Sequence, residues 1–185
     1  MKRLAALLLA VVCLTGCKEA DEALDEAMGL RAKLMGSGGC SFDACITADY
    51  GDKVSSFKMS CQTDLEGDLT FSVLEPEVIQ GVSGRISAVG GELTFDDQAV
   101  AFPLLADDQL SPVSAPWIFV KTLQGGNVKS CGKDGDLVRI SIDDSYQEDA
   151  LRLDIWLEDG TPVRGEVLYR DKRILTLEIE NFEMV

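Results

Sequence analysis

The chemistry open to this chain is bounded first by an absence: its 185 residues include no histidine. That excludes Ser-His-Asp and Cys-His nucleophilic sites, His-ligated zinc and the commonest general base. Ser55-Ser56-Phe57-Lys58 has the S-x-x-K spacing in which a lysine amine can activate a serine one helical turn away. Here the run alternates like a strand, which turns the two side chains apart, so the pair is set aside. Asp143, Asp144, Glu148 and Asp149 cluster around Ser145-Tyr146. Carboxylate oxygens suit calcium, but EF-hand spacing is missing, and the run reads as a solvated turn. No catalytic residue, metal site or cofactor is expected. The thiols remain: Cys13 and Cys17 near the N-terminus, and Cys40, Cys45, Cys61 and Cys131 in the body of the chain.

The surroundings of Cys17 assign it a chemistry. Lys2 and Arg3 form a basic start, followed by the eleven-residue apolar run Leu4 to Leu14. That run is shorter than the roughly 17–25 residues that span a bilayer, so it reads as an export signal rather than a membrane helix. It ends in Leu14-Thr15-Gly16-Cys17, which resembles the bacterial lipobox, with the thiol of Cys17 as the acceptor of a diacylglyceryl group and cleavage before it. Residues 1–16 are then a lipoprotein signal peptide, 17–39 the lipid anchor with an amphipathic helix, and 40–185 a sheet domain. Cleavage removes two basic residues and takes the net charge from −15 to −17. Such a balance argues against nucleic acid as a partner and against electrostatic docking on anionic headgroups. Lys18 is not the Asp that retains lipoproteins in an inner membrane. The expected location is extracytoplasmic, and the outer membrane where the source has one.

The elements follow from periodicity. Over residues 18 to 35, Leu24, Ala27, Met28, Leu30, Leu34 and Met35 recur mostly at helical spacing, with acids early, bases late and glycines at the end. Phe42, Ala44, Ile46 and Ala48 then alternate as a strand. Folding about Tyr50-Gly51 pairs residues whose numbers sum to 101: Phe42 with Met59, Ala44 with Phe57, Cys40 with Cys61. Leu69, Phe71 and Val73 continue the sheet. Ile86 and Ala88 mirror Phe95 and Leu93 across a second glycine turn, and Val100 and Phe102 extend it. Ser111-Pro112 opens a second helix, regular from near Ser114, with Trp117, Ile118, Val120 and Leu123 on a broad apolar face. Strands follow at 138–142, 151–157, 163–169 and 175–179. About five strands thus precede the second helix and about four follow it, an α+β arrangement with helices on one face of an antiparallel sheet.

Four cysteines stay available in an oxidising compartment, and they allow three pairings. The hairpin register favours Cys40–Cys61, leaving Cys45 and Cys131; Cys61–Cys131 is the competitor.

Several stretches of this chain resemble one family. They are Ile46-Thr47-Ala48-Asp49-Tyr50, Gly91-Glu92-Leu93-Thr94-Phe95-Asp96-Asp97, Leu110-Ser111-Pro112-Val113-Ser114-Ala115-Pro116-Trp117, and Asp149 through Leu157 with Pro162 and Ile179-Glu180-Asn181-Phe182. Together they run from about Ser41 to Phe182 and look like the LolA/LolB/LppX-like bacterial lipoproteins, including the LolA-like lipoproteins of Firmicutes. The resemblance implies a curved antiparallel half-barrel with helices packed in its concave face over an apolar cavity. It also implies a non-catalytic role, with an acyl or lipid ligand or a cell-envelope protein as partner. Phe42, Ile46, Phe57, Met59, Leu69, Phe71 and Val73 are the expected lining, with Trp117 approaching from the second helix. A carboxylate-based cell-envelope hydrolase is the alternative, and two facing acids at glycosidase-like separation in a cleft would mark it.

Overall fold

The computed structural model describes residues 21–96, 98–106, 109–147 and 150–185. The signal segment, Cys17, Glu148 and Asp149 lie outside the described residues. Helix α1 covers residues 21–36, and Gly39 ends the turn that follows it at φ 146°. A side chain there would stand 2.1 Å from the Thr63 carbonyl oxygen, so the close passage between helix and sheet requires glycine.

Strand β1 (Cys40–Asp49) sets the pattern of the sheet, burying Phe42, Ala44, Ile46 and Ala48 while the residues between them face outward. It is followed by β2 (Val54–Thr63), β3 (Leu69–Glu75), β4 (Ser83–Ser87), β5 (Gly90–Phe95) and β6 (Gln98–Phe102). A small separate pair, β7 (Leu105–Ala106) and β8 (Gln109–Leu110), leads into a short 3-10 turn at Pro112–Ser114 and helix α2 (Ala115–Gly125). The chain returns through β9 (Asn127–Asp134), β10 (Leu137–Asp143), β11 (Leu151–Glu158), β12 (Thr161–Tyr169) and β13 (Lys172–Met184).

Eleven of these strands form one antiparallel sheet in the order β6-β5-β4-β3-β2-β1-β13-β12-β11-β10-β9. β1 and β13 join the two meanders, and β6 and β9 are left as open edges. Both helices pack against the same face. Ala23, Ala27, Leu30 and Leu34 of α1 and Ile118, Phe119, Val120 and Leu123 of α2 share one buried cluster with the inward residues of the strands. The fold is therefore α+β, a curved antiparallel half-barrel with its helices in the concave face, the arrangement expected above. Among the described residues no helix is long and apolar enough to cross a membrane.

Two registers differ from the sequence expectation. In the first hairpin paired numbers sum to 103: Phe42 faces Cys61, Ala44 faces Met59 and Ile46 faces Phe57. The loop holds four residues, closing on Asp49–Val54, with the Gly51 N–H donating to Asp49 Oδ1 at 2.8 Å and the Tyr50 N–H to the Lys53 carbonyl at 3.1 Å. A shift of two keeps every side chain on its face, so alternation alone could not detect it. In the second hairpin Ile86 faces Gly91 and Gly84 faces Leu93, and the turn falls at Ala88-Val89. Gly91 is a strand residue there, and the Phe102 ring lies over it, 2.2 Å from where a Cβ would be, so the position suits glycine. The helix cap differs as well. The Ser111 side chain does not cap; its carbonyl accepts from both the N–H and the hydroxyl of Ser114.

Candidate functional site

The expected lining residues come together on the concave face. Phe42, Ile46, Met59, Leu69, Phe71 and Val73 are 0–4% exposed and belong to the single apolar cluster beneath the helices. Phe57 packs against that cluster half-buried. These residues are buried in the packed cluster rather than lining an open groove.

Trp117 occupies the margin. Its indole N–H donates to the Gly67 carbonyl at 3.1 Å, tying α2 to the β2–β3 turn while the ring packs on the cluster half-buried. The centre belongs to Phe119, which is fully buried with its ring 5.9 Å from that of Phe42; Phe42 in turn stacks on Phe182 at 5.8 Å. The sequence reading missed Phe119. Its signal was present in the spacing Ala115, Phe119, Leu123, which puts three apolar residues on one helical line.

Polar contacts hold α2 near its two ends and α1 along its middle. Arg31 of α1 donates from Nε to the Leu123 carbonyl at 2.7 Å and from Nη2 to the Gly126 carbonyl at 2.9 Å, at the C-terminus of α2. Those carbonyls have no partner within the helix and carry its negative end, so a guanidinium suits them. Glu26 accepts the Gly160 N–H at 2.8 Å, and the Tyr50 hydroxyl donates to the Leu110 carbonyl ahead of α2. Between these points the helices meet the sheet through apolar surface.

Cys40, Cys45, Cys61 and Cys131 are free thiols in the structure. The expected opposition of Cys40 to Cys61 is corrected by the register: Cys61 faces Phe42, and the partner of Cys40 is Thr63, whose hydroxyl lies 3.4 Å from the sulfur. Burial pushes the Cys61 thiol far up from its ordinary pKa, helped by the nearby Asp43 charge. Burial also raises Cys40, opposed by its Thr63 hydrogen bond. A raised thiol pKa suppresses the reactive thiolate. In the folded mature domain Cys40 and Cys61 should therefore resist iodoacetamide at pH 8 and react once urea unfolds the chain. The unfolded thiols ionise above about pH 8.5 while the folded ones stay neutral, so stability should fall as the pH climbs past that value. Thiol counting under non-reducing denaturation checks this: four reactive thiols are expected, and a Cys40–Cys61 bridge would leave two.

The convex face carries the facing acids that the alternative function would need. Asp154 and Glu166 are directly paired across β11 and β12, both buried. Each is engaged by arginine: Asp154 by Arg139 at 2.5 Å, Glu166 by Arg164 and by Arg173 at 3.0 Å. Trp156 lies between two of these cations, with Arg139 5.1 Å and Arg164 4.8 Å from its ring centre, and its N–H donates to Asp134 at 2.8 Å. This is a cross-strand ladder of charge and π contact on the outer sheet, in which the buried Asp154 Oδ1 has no hydrogen-bond partner. Lys58 also points outward and pairs with Glu180 at 2.7 Å. In the acidic cluster, Asp143 pairs with Lys129 and Arg152, and Asp144 accepts the Leu151 N–H, which closes the β10–β11 loop.

Comparison with known proteins places these features beside solved structures. A LolA superfamily protein from Nitrosomonas europaea is 7% identical, with 86% of this chain and 93% of that chain covered and a TM-score of 0.45. A putative outer membrane lipoprotein-sorting protein domain from Vibrio parahaemolyticus is 11% identical, with 89% and 93% covered and a TM-score of 0.45. Mycobacterium tuberculosis lipoprotein LppX is 13% identical, with 88% and 95% covered and a TM-score of 0.43. No family model and no curated protein matches the chain.

Proposed function

We infer that this protein is a non-catalytic, extracytoplasmic lipoprotein, held on a bacterial membrane by acylated Cys17, whose interior takes up an acyl chain. The observation that carries the ligand reading is the concave face. Six of its seven expected strand residues share one buried apolar cluster with the inward residues of two helices, and α2 is tied by polar bonds near both of its ends. Apolar surface of this kind is the usual lining of a ligand site, and displacing α2 is the way into it. Burial of each CH2 contributes about 0.8 kcal/mol, so affinity should climb with chain length and then level off when the interior is full.

A titration with fatty acids of increasing length tests this, read by native mass and by Trp117 fluorescence. A Trp156→Phe background removes the convex-face indole from the signal. Rising affinity with length supports the reading. No binding at any length sinks the lipid reading and leaves a cell-envelope protein as the partner.

A further inference from the structure

Exposed apolar side chains scattered singly over a surface need no explanation, and Val54, Val78, Val89 and Val100 are of that sort. Helix α1 is different. Leu24, Met28 and Met35 are 41%, 45% and 67% exposed, while Ala23, Ala27, Leu30 and Leu34 of the same helix are 1–3% exposed. At 100° per residue the three exposed residues fall within an arc of about 40°, roughly 100° around the helix from the centre of the buried face. The stripe runs about 16 Å along the helix axis. Beyond its end, the Gly38 N–H donates to the Val185 carbonyl at 2.7 Å, and Met184 and Val185 are themselves 36% and 57% exposed. Leu24, Met28 and Met35 thus gather apolar surface on one side of the helix that follows Cys17.

The tether decides what covers this stripe. Four peptide steps separate Cys17 from Asp21, the first described residue of α1, and they reach at most about 14 Å. A bilayer holding the acyl chains of Cys17 thus lies within reach of the helix in every molecule. A second copy is disfavoured, since each mature chain carries −17 and like charges repel. Asp21 borders the stripe on one edge and Arg31 on the other, so the surface it suits is zwitterionic rather than anionic.

We propose that the Leu24-Met28-Met35 face of α1 lies on the headgroup region of the anchoring membrane and fixes the orientation of the domain above it. This rests on acylation of Cys17. The contact is apolar and interfacial, the mode of an amphipathic helix lying in the plane of a leaflet, and the acyl anchor supplies the local concentration that makes three side chains sufficient.

The test uses the acylated full chain in phosphatidylcholine vesicles with a photoreactive residue at one position: Met28→p-benzoylphenylalanine, Met35→p-benzoylphenylalanine, or the control Val78→p-benzoylphenylalanine. Val78 is 85% exposed in the turn between β3 and β4. That turn lies at the sheet end opposite Cys40 and Met184, where α1 finishes. All three positions are exposed, and unchanged thermal melting certifies the fold. Vesicle flotation reports the anchor independently of the cross-link. Floating protein with lipid adducts at 28 and 35 and none at 78 is the expected result. Floating protein that gives no lipid adduct, or an adduct to a second copy or another protein, overturns the proposal and leaves the anchor standing. A chain that does not float removes the anchor and this inference together.

Discussion

Phe119→Ala should lower the stability of the domain by about 3–5 kcal/mol, the range for truncating a buried aromatic. The residue is fully buried, its ring meets Phe42, and it lies over Gly165, where β12 has no side chain to fill the space. Neighbours cannot collapse into the void without moving α2, whose C-terminus is pinned by Arg31 and whose N-terminal turn is pinned by Trp117. Urea denaturation reads the effect as a lower midpoint at unchanged slope. Phe119→Leu, which keeps most of the volume, should cost far less. A small loss for Phe119→Ala would mean that the helix is not packed on the sheet as described. The same variant should bind a short apolar ligand in the vacated space, since such cavities stay dry and accept apolar guests.

Cys17→Ala should remove the acyl anchor, leaving either an uncleaved precursor or a protein released from membranes. Two acyl chains anchor stably, at about 0.8 kcal/mol per buried CH2, where one chain is marginal. Three side chains of α1 cannot replace them. The variant should accumulate as an uncleaved precursor or appear in the soluble fraction, and intact mass distinguishes the two. Normal processing with continued sedimentation in membranes would refute the assignment of Cys17. The comparison also separates anchor from interior: a released, folded Cys17→Ala domain should keep its response to fatty acids.

The parts of this fold that were legible in the sequence are those with a strong local period. β1 alternates cleanly over ten residues, and α2 begins near Ser114 and stops at its glycines as expected, although Pro112 opens a separate 3-10 turn rather than the helix. β9 was missed because Asn-Val-Lys-Ser-Cys-Gly-Lys-Asp has almost nothing to bury. It is an edge strand held by backbone bonds to β10, and its composition follows from that position. Register was beyond reach in both N-terminal hairpins, since a slip of two or four residues preserves the pattern on which the reading depends. The exchange of Trp117 for Phe119 at the centre has a similar origin. Both are apolar and lie two residues apart on one helix, and only the crossing of α2 over Gly165 decides which ring points inward. The Arg139-Trp156-Arg164 ladder could not be anticipated, because its members meet only once three strands are aligned.

Arg31 bridges 92 and 95 residues of sequence with two bonds from one guanidinium. One end of that bridge is the helix nearest the anchor; the other is the C-terminus of the helix over the interior. Mechanically, the two helices form one linkage. Force applied through the tether at α1 must either break both charge-assisted bonds or draw the end of α2 with it. Under the proposed acylation of Cys17, the helix over the interior would thereby be coupled to the anchoring lipid.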